Sequence, residues 1–253
     1  MQVALDPPVT HVEMESFGDF AFVLAQKWTY ERYRKWYKEQ RPNRDLVMID
    51  HGAYEIGRPI QHEQFWSVIH DIYRSYRTVV VILPDVPQRC KVTRDLVLKF
   101  LALYPEVRQF HLMYVLQSYR YVRDEVKFAK RIGATYIGVP IWMDRVFDRW
   151  LVLQKLLEYR NEFQIHLLGL DDPSELLWIG VLADSVDTSL PFTYAKYNAR
   201  IDRTPAILRK TFRRIADFEL LTEEQKALAR YNIEQLLLIA NAYQRGYVSL
   251  PGA

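Results

Sequence analysis

Short runs of apolar residues recur along the chain, and between them the apolar positions return every three or four residues. The runs at 20–25, 46–49, 78–83, 109–116, 135–139 and 164–168 predict buried strands, with a shorter one at 2–5 and a last one ending at Asp187. Helical stretches at 30–40, 61–76, 92–103, 120–132 and 144–159 separate them. The punctuation agrees: Gly133 stops one helix, Gly169 turns the chain after a strand, Asp172-Pro173-Ser174-Glu175 opens a short helix and Gly180 breaks it. Strands that are apolar throughout, rather than alternating, are buried on both faces, as in a parallel sheet covered by helices. Seven or eight such repeats predict an α/β fold, a TIM-type (β/α)8 barrel, with an open doubly wound sheet as the rival topology. Beyond Asp187 the pattern predicts a polar loop at 191–205, a basic helix at 206–217 and a final helix at 222–244, whose TEEQ start (222–225) has capping-box spacing.

A length of 253 residues fits one domain, residues 1–253, with the C-terminal helices at 206–245 included in the barrel. Hydrophobic residues make up 49% and charged residues 26%, without a charge block or low-complexity stretch, so the whole chain is expected to fold. No run of 18 apolar residues is present and the first residues lack a basic start and apolar centre, which predicts a cytoplasmic protein with no membrane partner. Cys90 is the single cysteine, so an internal disulfide and a multi-cysteine zinc site are excluded, and neither a metal nor a cofactor is expected. The formal charge of +3, with six Trp and 17 Tyr, permits nucleic-acid binding without requiring it.

Asp50, Asp85 and Asp187 each stand at or just beyond the end of an apolar strand, and Gln117 does the same. In parallel α/β folds ligands bind at that end, so closure of the sheet brings all four to one rim. Any one aspartate there serves equally well as a turn or N-cap residue; several strands ending alike is harder to ascribe to turns. Such a set can divide labour. One carboxylate attacks an anomeric carbon, a second accepts and returns a proton, and a third with an amide reads the edge of a planar heterocycle. Glycosyl transfer through a carboxylate ester is the natural reaction. His51 adjoins Asp50 and either tunes it or touches substrate, His166 reads as a core residue or a neighbour of a site residue, and His70 as a packing or surface residue. Two stretches combine cations and aromatics: 30–38, best read as a solvated helix face, and 209–214, which follows the Asp187 segment and reads equally as a solvated helix face or as a nucleic-acid contact through Arg209, Lys210, Arg213 and Arg214.

The segments LGLDDPSELL (168–177) and ADSVDTSLP (183–191) resemble the corresponding stretches of tRNA-guanine transglycosylases. VMIDHGAY (47–54), Pro84-Asp85, VLQ (115–117), IGV (137–139) and ARYN (229–232) are similar to further segments of that superfamily, in the same order. The resemblance implies that Asp187 is the nucleophile at C1′ of a guanosine nucleotide and Asp50 the general acid/base. Asp85, Gln117 and the backbone of Gly138 would bind the base, with Tyr54 stacking on it. The tRNA enzymes carry a zinc site of three cysteines and a histidine, which this chain cannot form. A zinc-free, shortened barrel looks more like the phage and bacterial relatives that replace guanine in DNA with a 7-deazaguanine of the preQ0 type. The implied partners are DNA, with tRNA second, and a free guanine or 7-deazaguanine base; an accessory protein or homodimer stays open. The implied site of action is the cytoplasm, that of the host for a phage-encoded protein. Two other readings stand beside it: a noncatalytic nucleic-acid-binding barrel, and a metal-free hydrolase of a sugar or nucleoside.

Overall fold

A computed structural model of the chain describes residues 1–40, 45–143, 149–204 and 212–242. Eight parallel strands form one sheet: β1 (Gln2–Leu5), β2 (Ala21–Leu24), β3 (Leu46–Asp50), β4 (Thr78–Ile82), β5 (His111–Val115), β6 (Tyr136–Pro140), β7 (Gln164–Leu168) and β8 (Ser185–Thr188). Hydrogen-bonded neighbours run β1-β8-β7-β6-β5-β4-β3-β2, and a parallel bridge between Ala4 and Phe20 joins the two ends. The Val3 amide donates to Asp19 Oδ2 and the Asp19 amide to the Val3 carbonyl across the same seam. The sheet is therefore a closed (β/α)8 barrel, and the open doubly wound alternative is ruled out.

Alternation along each strand sorts its residues between two cores. Ala4, Phe22, Met48, Val80, Ile82, Met113 and Val115 fill the barrel interior. Their neighbours Val3, Leu5, Val47, Ile49, Val81, Tyr114, Val139 and Val186 face the helices in the larger outer core. Gly138 sits at an interior position, where a Cβ would come within 2.9 Å of Leu168 and 3.1 Å of the Met113 sulfur. A side chain there would overfill the barrel.

The helices depart from the sequence pattern in several places. The β1–β2 connection is a 3-10 helix, Val9–Phe17, where no helix was expected. The 30–40 stretch divides into α1 (Glu31–Lys35) and a π turn, Trp36–Gln40. A four-residue helix, α2 (Ala53–Ile56), follows β3, and α3 (His62–Ile72), α4 (Cys90–Leu103) and α5 (Val122–Ile132) match the predicted stretches closely. The strand expected from 109 starts at His111 because Pro105–Gln109 forms a 3-10 helix. Of the 144–159 helix, α6 (Arg149–Leu156) and a 3-10 turn are described; 144–148 lie outside the described residues.

After α7 (Leu176–Ile179), the expected polar loop at 191–205 opens instead with α8 (Leu190–Lys196), whose first turn holds Pro191 and whose Leu190, Phe192, Tyr194 and Ala195 are buried. Proline fits a first helical turn, and the local apolar spacing outweighs the polar residues that follow. The basic helix expected at 206–217 is corrected over its described part: 212–217 is irregular, and 205–211 lie outside the described residues. The last helix, α9 (Glu223–Ala240), starts at a capping box between Thr222 and Gln225 and packs on α8. Its buried Asn232 accepts from the Ile201 amide and donates to the carbonyls of Ala199 and Pro191, fixing the chain beyond β8. Among the described residues no helix is long and apolar enough to cross a membrane.

Candidate active site

Strand parity aims the aspartates. In β3, Met48 points into the barrel, so Asp50, two residues on, points inward at its mouth; in β8, Ser185 and Asp187 share the inward side. Asp50, Asp85 and Asp187 line one cavity of about 680 Å³ at the carboxyl ends of the strands, together with Tyr54, Trp142, Asp171, Asp172 and Arg214. That volume lies in the usual range for a small-molecule site. Among the described residues no group of three His, Cys, Asp or Glu side chains is arranged to hold a metal.

Asp187 is held on one oxygen. Its Oδ1 lies 3.0 Å from the Gly169 amide, which donates to it, and 3.2 Å from His166 Nε2. Gly169 adopts φ +77°, a left-handed turn that a side chain would strain, and this turn delivers its N–H to the carboxylate. Arg149 fixes the turn from behind. Fully buried, it donates to the carbonyls of Gly169 at 3.0 Å, Val139 at 2.6 Å and Leu168 at 3.3 Å. The 144–159 helical pattern gave no sign of this role, because a cation in an amphipathic stretch reads as solvated.

Asp50 Oδ1 accepts from the Gly52 amide at 2.9 Å. Asp85 is backed by two side chains. Gln117 donates through Nε2 to Asp85 Oδ2 at 2.6 Å. His51 Nε2 lies 2.9 Å from Asp85 Oδ1 and 3.0 Å from the Asp85 amide, so the ring either accepts from that amide or, protonated at Nε2, donates to the carboxylate. Gln117 is in turn fixed by its own amide, which donates to Glu125 Oε2 at 2.6 Å, and Glu125 Oε1 accepts from the Cys90 thiol. Burial pushes the Glu125 carboxyl above its usual range. Burial first, and then the neighbouring Glu125, push the Cys90 thiol up to about 12, so Cys90 is an unreactive donor.

The sequence-derived site residues thus fall into separate places. Asp50, Asp85, Asp187, Tyr54 and Arg214 line the cavity. His51 and Gln117 are buried behind Asp85. Gly138 lies deeper in the barrel, with its carbonyl accepting from the Leu116 amide, and does not line the cavity. The Arg213 amide donates to the Tyr197 hydroxyl, while Arg209 and Lys210 lie outside the described residues.

Arg214 belongs to a charge cluster at the same rim. It donates to Asp6 Oδ2 at 2.6 Å, Asp6 Oδ1 meets Lys27 Nζ at 2.9 Å, and Lys27 also reaches Asp217 at 2.8 Å. Burial alone would raise the Asp6 carboxyl, but Lys27 and Arg214 outweigh it and hold the group below its usual range. Burial alone would lower Lys27; Asp6 and Asp217 outweigh it and raise the ammonium above its usual value.

No family model and no curated protein sequence matches this chain. Solved structures match its fold. The 3-hexulose-6-phosphate synthase from Salmonella typhimurium aligns over 94% of this chain and 100% of its own, at 14% identity and a TM-score of 0.52. QR15, an aldolase, aligns over 74% of this chain and 88% of its own, at 13% identity and a TM-score of 0.50. At such identities what this chain shares with them is the α/β barrel.

Proposed function

We propose that the protein is an enzyme, a base-exchange glycosyltransferase that replaces guanine in DNA with a 7-deazaguanine base. The observation that carries this reading is the convergence of Asp50, Asp85 and Asp187 on one cavity of about 680 Å³. Guanine presents its N1–H and 2-amino group along one edge, and carboxylates accept only, so an aspartate-lined pocket complements that edge. Asp85, steadied by Gln117 and His51, is the acceptor for the base.

In the first half-reaction an Asp187 oxygen forms a bond to C1′ while the C1′–N9 bond breaks. Its electron pair goes to the departing base, which takes a proton from Asp50. In the second half, Asp50 removes the proton from the incoming base, that base attacks C1′, and the ester electrons return to Asp187. Two inversions retain configuration.

The single cysteine cannot supply the three-cysteine zinc site of the resembling tRNA enzymes, which favours DNA over tRNA. A base in duplex DNA must be flipped out to enter, at a cost of a few kcal/mol. Incubation with labelled guanine or 7-cyano-7-deazaguanine and either DNA or tRNA tests the proposal. Label in DNA supports it; label in tRNA alone moves the substrate to tRNA, and label in neither, with accessory proteins supplied, removes the transferase reading.

A further inference from the structure

His166 is fully buried inside the barrel, stacked on Phe22 at 6.0 Å and 20° and met edge-on by Phe20 at 6.2 Å. Its two ring nitrogens both face polar partners: Nδ1 lies 2.8 Å from Ser185 Oγ and Nε2 lies 3.2 Å from Asp187 Oδ1. A carboxylate only accepts, so Nε2 carries a proton, and in the neutral ring Nδ1 then accepts the Ser185 hydroxyl proton. The Gly169 amide ends on the same Oδ1, and among the described residues no donor meets Oδ2.

From this geometry, and resting on the proposed transfer reaction, we infer that the Ser185–His166 pair is a positioning device that selects Asp187 Oδ2 as the attacking oxygen and makes the glycosyl ester easy to discharge. Two donors fix the carboxylate plane and occupy Oδ1, leaving Oδ2 to bond C1′. In the ester, Oδ1 becomes a neutral carbonyl oxygen, and hydrogen bonds to it weaken. Charge-assisted bonds are roughly twice as strong as neutral ones, so the donors favour the free carboxylate over the ester. An enzyme that exchanges one base for another needs such an ester, which forms and then gives up its sugar. The imidazole touches neither base nor sugar in this arrangement; it acts through Asp187.

The test compares His166→Phe, which keeps the ring stack and loses both nitrogens, with His166→Gln, whose side-chain amide nitrogen sits three bonds beyond Cβ, as Nε2 does. Intact-protein mass spectrometry follows the DNA adduct on Asp187, and discharge is timed on adding free guanine. His166→Phe is expected to discharge the adduct about tenfold more slowly and to accumulate it, with KM for free guanine within twofold, and His166→Gln to recover most of the rate. Nitrogen-15 imidazole shifts of the unmodified protein read the tautomer independently, and Ser185→Ala is expected to lower the Nε2–H population if His166→Phe folds poorly. Discharge from His166→Phe at the unaltered rate, or an Nδ1–H tautomer, would overturn the inference. Absence of any adduct on the unmodified protein would instead sink the transfer reaction itself, and the role assigned to His166 with it.

Discussion

Each aspartate at the barrel mouth sits in a different local environment, and the proposed division of roles can be tested against those differences. Asp187 is bound on one oxygen, Asp50 accepts from the Gly52 amide, and Asp85 is met by a buried amide side chain and a buried imidazole. Asp187→Asn retains an oxygen for the Gly169 amide, so its urea midpoint should stay within error of the unmodified protein while exchange falls by at least about a thousandfold. Gln117→Leu removes the donor to Asp85 and the acceptor for the Gln88 amide. Steady-state kinetics should show KM for the free base raised roughly tenfold, with kcat changed less. Glu125 offers a pH test. Its folded-state pKa is raised, so the folded protein holds a proton that the unfolded chain releases, and stability declines as pH climbs from the unfolded value toward the folded one. Glu125→Gln keeps an acceptor for the Gln117 amide and should flatten that decline in chemical denaturation measured from about pH 4 upward.

At the level of elements, the cluster of Asp6, Lys27, Arg214 and Asp217 ties the ends of β1 and β2 to the irregular segment after 211. Asp6 and Lys27 are both buried, so removing one partner leaves an uncompensated charge. Asp6→Asn is expected to cost about 3 kcal/mol in urea unfolding at pH 7. Because the Asp6 pKa is depressed, its contribution is present above the unfolded carboxylate value and is lost as pH falls through the lower folded value. The gap between the two proteins should therefore narrow on acidification. The strands were legible because the determinants are local: LVMID, TVVVI and QIHLL are short, largely apolar runs bounded by turn residues and helical stretches, the pattern of a covered parallel strand. Other elements were not. Pro191 and the polar residues after it read as a loop, whereas burial of Leu190, Phe192 and Tyr194 against the outer core turns the stretch helical. The pattern at 206–217 reads as a basic helix, yet Phe212 stacks on Tyr197 at 4.5 Å and the described part, 212–217, runs irregularly over α8.

On the scale of the whole molecule, the cavity opens where eight strands end, and its described lining carries five aspartates against Arg214. An acidic mouth disfavours a phosphate backbone and favours a base that offers donors, so under the proposed reaction the strand would contact the protein outside the cavity and only the flipped nucleotide would enter. Single-stranded DNA should therefore exceed duplex in kcat/KM by roughly ten- to a hundredfold, measured by base incorporation at fixed salt. Equal rates on both would point to a partner or surface that opens the duplex.

The amino-acid pattern alone determined the alternation of strand and helix, the parallel sheet, and the placing of Asp50, Asp85, Asp187 and Gln117 at strand ends, since each depends on neighbours a few residues away. Only the tertiary structure decided that the sheet closes through Ala4 and Phe20, that His166 and Gly169 grip one oxygen of Asp187, and that Gly138 lies below the site. It alone placed Arg149 behind the Gly169 turn. These contacts join residues far apart along the chain, and hydrogen-bond direction and strand register exist only once the barrel has closed.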